Sequence, residues 1–243
     1  GRIDQMNEPV MYKRKAKKIS WSGDRELDTV TALVFHFTAN KGDTAKNNAD
    51  FFATGNTRKA GAHLFVSRNG DMALSVPLKK SANAVGGLYS QKKGAGKYYR
   101  EVTNANSISI ELCDCLKGPS WEQMLASRKL YLWLKDKCPK LKTVVRHWDV
   151  NGKECPGPMT GKENKKWEHF RSKVVNNYQY KARVVKDAAI RSSKGVKPKN
   201  KTSSVKKGKV VTVSKISGNW GRILKKDSQG RWQWISLKKV KEI

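Results

Sequence analysis

Two apolar, β-branched runs each lead into a histidine. They are Leu33-Val34-Phe35-His36-Phe37-Thr38 and, far downstream, Thr143-Val144-Val145-Arg146-His147. Each reads as a short buried strand, which projects its histidine from the sheet rim toward a pocket. The second run continues through Trp148-Asp149-Val150-Asn151-Gly152-Lys153-Glu154 to Cys155 and a Pro156-Gly157 turn. Imidazole nitrogen and thiolate sulfur are both zinc donors. Three side chains from distant parts of one domain must then meet around a single ion. Three protein ligands leave a fourth position for water, and bound water becomes a nucleophile near neutral pH. Either histidine alone reads as well as a core or surface residue without metal; it is the constellation that favours a hydrolase site.

Such a site needs a group to take the water's proton and pass it to the leaving amine. Glu111 is the leading candidate. In Ser107-Ile108-Ser109-Ile110-Glu111-Leu112 the isoleucines share one face, and Ser109 and Glu111 share the other. A carboxylate there is costly unless that face opens on a cleft; the plainer reading is an ordinary half-exposed strand glutamate. Lys153, two residues before Cys155, can reach the same site and stabilise an oxyanion, or it is one more solvated lysine. Asp149 is a candidate to hold the second nitrogen of a ligand histidine.

The rest of the chain reads as a frame for these residues. Residues 7–30 form a polar, loop-rich entry that wraps the core through Trp21. Asp43 caps a helix whose Ala45, Ala49 and Phe52 share a face, and Gly55 ends it. Residues 63–67 form a strand, Asn69-Gly70 a tight turn, and 72–76 the returning strand. Residues 79–104, rich in Gly, Lys and Tyr, border a binding site or are mobile. Ser120 and Gln123 form a capping box for a helix that Pro139 stops. Thr160 and Glu163 form a second box, opening a helix with a Trp167, Phe170, Val174 stripe. Beyond Asn177 short aromatic strands and turn signals suggest a small β-barrel, with the boundary near 175–182.

The formal net charge is +31, which calls for an anionic partner. Residues 176–243 carry 19 Lys and Arg against three Asp and Glu, so the charge is densest there. No apolar stretch approaches a membrane span, so no membrane insertion is expected. The residues before Met6 are set aside as an appended segment, and no export signal pattern opens the chain. Cys113, Cys115 and Cys138 have no paired Cys-x-x-Cys zinc spacing. They are buried thiols, or Cys138 bridges to one of the other two.

Four pieces now align with a known family. Val34-Phe35-His36-Phe37-Thr38-Ala39, Ala62-His63-Leu64-Phe65-Val66 with Arg68-Asn69-Gly70, Asn106 to Glu111, and His147-Trp148-Asp149-Val150 through Gly157 resemble the zinc-dependent N-acetylmuramoyl-L-alanine amidases. That family takes in AmpD-type amidases, phage endolysins and peptidoglycan recognition proteins. The resemblance covers roughly residues 30–160 and implies an α/β fold with a central mixed β-sheet flanked by helices. It implies one Zn2+ held by His36, His147 and Cys155, with Glu111 as general base and Lys153 polarising the carbonyl. His63 stands where some members carry tyrosine and others histidine, and is read as lining the groove or supporting a ligand. Members that only bind peptidoglycan typically lack the cysteine, so Cys155 favours catalysis over a noncatalytic binder.

Residues 180–243 resemble a bacterial SH3-like wall-binding domain. The pieces are Arg191-Ser192, Lys209 to Val213, Asn219-Trp220-Gly221-Arg222-Ile223 and Gln233-Trp234-Ile235-Ser236. Residues 194–207 are longer and more basic than the usual turn, and Trp220, Trp232 and Trp234 read equally well as core filling. The expected organisation is a catalytic domain over 7–175 and an SH3-like barrel over 182–243. The expected partners are peptidoglycan and an anionic wall polymer at the bacterial cell wall, reached by secretion or by release during phage lysis. A nucleic-acid binder is the remaining reading of the charge, with neither a recognition helix nor a finger spacing to support it.

Overall fold

A computed structural model describes residues 8–87, 94–176 and 180–243. The chain divides into two compact units, Gly1–Val175 and Asn176–Ile243.

The first unit runs β1 (Tyr12–Lys13), β2 (Trp21–Asp24), β3 (Ala32–Phe37), α1 (Ala45–Thr54), β4 (Leu64–Val66), β5 (Met72–Leu74) and β6 (Lys80–Ala82). It continues β7 (Ser107–Leu112), α2 (Trp121–Lys137), β8 (Thr143–Arg146), α3 (His147–Asn151) and α4 (Lys165–Val175). A six-stranded mixed sheet has the order β1-β5-β4-β7-β3-β8, and β2 pairs with β6 in a separate ribbon. Strands β3, β7 and β8 are mutually parallel, with β7 and β3 inside the sheet and β8 at its edge. Their β-branched composition suits that pairing, because parallel strands are covered on both faces.

Strand alternation sorts the two faces. Leu33, Phe35, Ile108 and Ile110 are fully buried on one face, against Leu130 and Leu134 of α2 and Trp167 and Phe170 of α4. Removing each from water is worth about 1.5–3 kcal/mol. Phe35 meets Phe170 edge-on at 4.9 Å between centroids. The other face carries Val34, His36, Ser109 and Glu111. Part of it is covered by α1, whose Ala45 and Ala49 pack with Phe65 and Ala73.

The caps explain where helices begin. Ser120 accepts from Gln123 N–H and Gln123 Oε1 accepts from Ser120 N–H, both at 3.0 Å, which is the expected box at α2. At α1 the cap is Thr44, accepting from Asn47 N–H at 3.1 Å, and not Asp43. Asp43 is drawn off to the side chain of Asn48 and the backbone N–H of Asp114. At α4, Asn164 accepts from Trp167 N–H at 2.9 Å. The expected Thr160–Glu163 box does not form, because the Thr160 hydroxyl donates to Glu154 instead. The turn at Asn69-Gly70 is present, with Gly70 at φ 91° and its N–H bonded to Ser67 O.

The second unit is β9 (Tyr180–Val184), β10 (Ala188–Arg191), β11 (Lys201–Val205), β12 (Val210–Ser217), β13 (Trp220–Ile223), β14 (Trp234–Ser236) and β15 (Val240–Glu242). They form one antiparallel sheet in the order β11-β10-β14-β13-β12-β9-β15. Val213, Ile235, Ile190, Ala182 and Leu237 are buried within it. Gly221 permits this closeness, since a Cβ there would come within 2.8 Å of Leu237 and 3.0 Å of Val213. Residues 231–233, expected to be strand, precede β14.

Candidate metal centre

Parallel pairing sets the site. In the β3–β7 register His36 lies opposite Glu111 and Val34 opposite Ser109. In the β3–β8 register Phe35 lies opposite Arg146, so the next residue, His147, emerges beside His36. Their ring centroids are 4.7 Å apart. His147 opens the five-residue α3, which Gly152 ends in the left-handed region at φ 84°. The chain then returns, and the N–H of Trp148 bonds to Cys155 O at 2.9 Å. Ligand atoms of His36, His147 and Cys155 all lie within 4.8 Å of one another, and all three residues are buried.

The hydrogen bonding fits a cation. Both ring nitrogens of His147 are buried without a hydrogen-bond partner, an arrangement that is costly unless something else binds them. His36 Nε2 lies 2.9 Å from the Ser109 hydroxyl, which leaves Nδ1 as its free donor atom. Burial holds both histidines neutral, the form a metal needs. His147 is lowered to about 4 by burial and then by Lys153. His36 is lowered well below its usual value, by burial and then by His147, Lys153 and His63. Burial pushes the Cys155 thiol up, while the Phe37 N–H and Lys153 favour the thiolate. The donor set, two neutral imidazoles and one sulfur, suits zinc.

Glu111 stands on the same floor. Its Oε2 is buried without a hydrogen-bond partner, and burial raises the carboxyl to about 8 against the pull of Lys153. Lys153 is exposed and lines the same cavity. That cavity is a groove of about 1090 Å³, with His36, His147, Cys155 and Glu111 among the residues lining it. Its walls include Asn47 and Phe51 of α1, Arg58 and Lys59, and Asn83 and Asn104. The two asparagines come from the long segment expected to border a site; residues 88–93 of that segment lie outside the described residues.

The expected role of Asp149 changes, and of the two expected for His63 the groove-lining one falls away. Asp149 does not hold a ligand histidine. Both its oxygens face Arg146, with Nη2–Oδ1 at 2.9 Å and Nε–Oδ2 at 3.0 Å, and Oδ2 also accepts the Arg146 N–H. Three residues along a helical turn, a bidentate guanidinium is the stronger partner. Arg146 in turn donates to Met159 O and Gly161 O, so the pair clamps the segment that carries Cys155. His63 does not line the groove; it is 1% exposed. Its Nδ1 accepts from Ser109 N–H at 3.0 Å, so Nε2 carries the proton and donates to Lys80 O at 2.8 Å. Burial, and then Arg25, lowers it to about 3.

The residue that sequence reasoning passed over is Ser109. Alternation placed it on the face of Glu111, but nothing in a lone serine signals a bond to an imidazole one strand away.

The family model for N-acetylmuramoyl-L-alanine amidase matches residues 26–158. The chain belongs to the N-acetylmuramoyl-L-alanine amidase family. The amidase BlyA of Bacillus subtilis strain 168 is 30% identical over 159 residues, covering 61% of this chain and 42% of BlyA. The amidase CwlL of Bacillus licheniformis is 28% identical over 213 residues, covering 84% of this chain and 51% of CwlL. The chain thus spans about half the length, or less, of these curated relatives. The catalytic domain of XlyA shares the fold of the family at a TM-score of 0.51 and 20% identity, covering 68% of this chain and 99% of that one. The PlyG catalytic domain does so at 0.51 and 20%, covering 69% and 94%.

Proposed function

We propose that the chain is a zinc-dependent N-acetylmuramoyl-L-alanine amidase. It hydrolyses the amide between the lactyl group of N-acetylmuramic acid and the L-alanine of the stem peptide in bacterial peptidoglycan. The observation that carries this reading is the meeting of His36, His147 and Cys155 on the floor of a groove that also holds Glu111 and Lys153. Those three residues would hold the zinc, which supplies a Lewis acid for the carbonyl and lowers the pKa of water.

The remaining steps belong to the chain's own groups. Glu111 takes the proton of the attacking water and returns it to the leaving amine. It must be ionised to begin, and Lys153 favours that form. The Lys153 ammonium faces the oxygen on which negative charge develops. Ser109 fixes the ring of His36, and the Arg146–Asp149 clamp fixes the turn that presents Cys155. The open groove, walled by asparagines and aromatics, suits a glycopeptide polymer rather than an enclosed small molecule.

Residues 7–175 form the catalytic domain in this reading and 182–243 an SH3-like wall-binding domain, so the protein acts at the bacterial cell wall. Tethering the cutter to its polymer raises the local substrate concentration.

Purified walls incubated with the chain should release stem peptides with new L-alanine amino groups and no new reducing ends. New reducing ends would mean glycosidase chemistry. Wall binding with no release would mean a noncatalytic binder.

A further inference from the structure

The register of the second unit assembles a feature that its sequence does not display. Lys215 pairs with Arg222, Arg222 with Trp234, Trp234 with Arg191, and Arg191 with Lys201. Directly opposed residues of antiparallel strands project to the same face. Lys215, Arg222, Trp234, Arg191 and Lys201 therefore stand in one row across five adjacent strands, roughly 19 Å long at strand spacing. Their neighbours along the strands, Gly221, Ile235 and Ile190, are buried, as alternation expects of the opposite face. The β-bulges at Ser214 of β12 and Thr202 of β11 bring Lys215 and Lys201 onto the row.

Aromatic surface borders the row. Trp232, 38% exposed, has the Arg222 guanidinium 3.8 Å from its ring centroid and the Lys226 ammonium at 4.6 Å. Among the described residues no carboxylate forms an ion pair with the four cations. Of the unit's three acidic residues, Asp227 pairs with Arg231 and Asp187 with Lys206, while Glu242 lies on β15, beyond β9 from the row. The Nε atoms of Arg191 and Arg222 are buried without hydrogen-bond partners.

We propose that this row is the binding track for a linear phosphodiester-linked polyol or glycosyl polymer of the bacterial wall. The cations stand as two pairs on either side of Trp234, which suits a chain of repeated anions, and guanidinium groups match phosphate in shape as well as charge. Polyol and sugar C–H groups can lie against the tryptophan edges. Single-stranded nucleic acid needs open aromatic faces on which bases stack, and the guanidinium of Arg222 occupies that of Trp232. The proposal rests on the wall-binding role of this unit, but not on the amidase reaction.

The test uses the full chain and a purified glycerol-phosphate polymer, with affinity measured at fixed ionic strength. Arg191→Gln with Arg222→Gln should weaken binding at least ten-fold. Lys186→Gln with Lys238→Gln, an equal charge loss outside the row, should change it less than two-fold. Lys201→Gln with Lys215→Gln, at the row's ends, should give an intermediate loss and covers the case in which the arginine pair fails to fold. Equal losses for the inside and outside pairs would overturn the proposal in favour of diffuse charge. Binding to single-stranded DNA as tight as to the polymer would overturn it too. Walls stripped of phosphate polymers with hydrofluoric acid separate the two readings. If the chain binds stripped and intact walls equally, wall binding stands and this track does not.

Discussion

Replacing Ser109 by alanine isolates the support of one ligand from the ligand itself. The Ser109 hydroxyl lies 2.9 Å from His36 Nε2, and Ser109 is 1% exposed, so water does not substitute for the lost oxygen. Alanine fits the same space, and the strand's backbone bonds, including Ser109 N–H to His63 Nδ1, are retained. The stability cost is therefore small, about 1 kcal/mol for one net hydrogen bond. The effect on the metal is larger than that geometry suggests. An imidazole whose second nitrogen is held presents its free lone pair in one orientation; a released ring divides its time among several. Losing such a support typically costs 10–100-fold in metal affinity. Because a neutral hydroxyl rather than a carboxylate is lost here, we expect about 10-fold, equivalent to ~1.4 kcal/mol. Competition against a chelator of known zinc affinity measures it, with thermal melting of the metal-free chain as the control. A zinc affinity within two-fold of the parent, on an intact fold, would refute the claim that Ser109 positions His36.

Three further outcomes follow from the site and its supports. Glu111→Gln should keep zinc affinity within about three-fold yet lower wall hydrolysis by about 100-fold or more, the usual scale for a lost general base; retained turnover would remove Glu111 from that role. Arg146→Met strands Asp149 in a pair whose side chains are 7% and 15% exposed, and should cost about 3 kcal/mol by chemical denaturation; adding Asp149→Asn should recover part of it, and no recovery would mean that the pair is not the cause. His63 sits at about 3 in the fold against an ordinary 6.5, so the unfolded chain takes up its proton first as the pH falls. Stability from this residue is therefore present above pH 6.5 and lost toward pH 3, by up to about 1.4 kcal/mol per pH unit. In zinc-loaded protein, His63→Gln should flatten the loss between pH 6.5 and 4.5, and an unchanged slope would count against the neutral, buried assignment.

What the sequence made legible was whatever local chemistry decides. The alternation in Ser107–Leu112 separated the core face from the site face because a strand's side chains have period two. Ser120 and Gln123 marked the start of α2 because both halves of the box lie within four residues. What it concealed depends on partners remote in the chain. Asp43 looked like a cap until Asp114 N–H, brought from the end of β7, claimed its carboxylate. Asp149 suited a ligand histidine by proximity, but Arg146 reached it first. His63 read either as lining the groove or as supporting a ligand, and nothing local revealed Arg25 and Lys80 O closing over its ring, which leaves it out of the groove. The row across the second unit is of the same kind, since it exists only once two bulges have set the register.

Every catalytic role proposed above depends on His36, His147 and Cys155 holding one zinc ion. X-ray absorption at the zinc edge of the purified full chain tests it most directly. One zinc per chain is expected, with one sulfur at about 2.3 Å and nitrogen or oxygen neighbours at about 2.0–2.1 Å, the sulfur shell vanishing in Cys155→Ser. A zinc shell without sulfur, or active protein with no stoichiometric zinc, would contradict it.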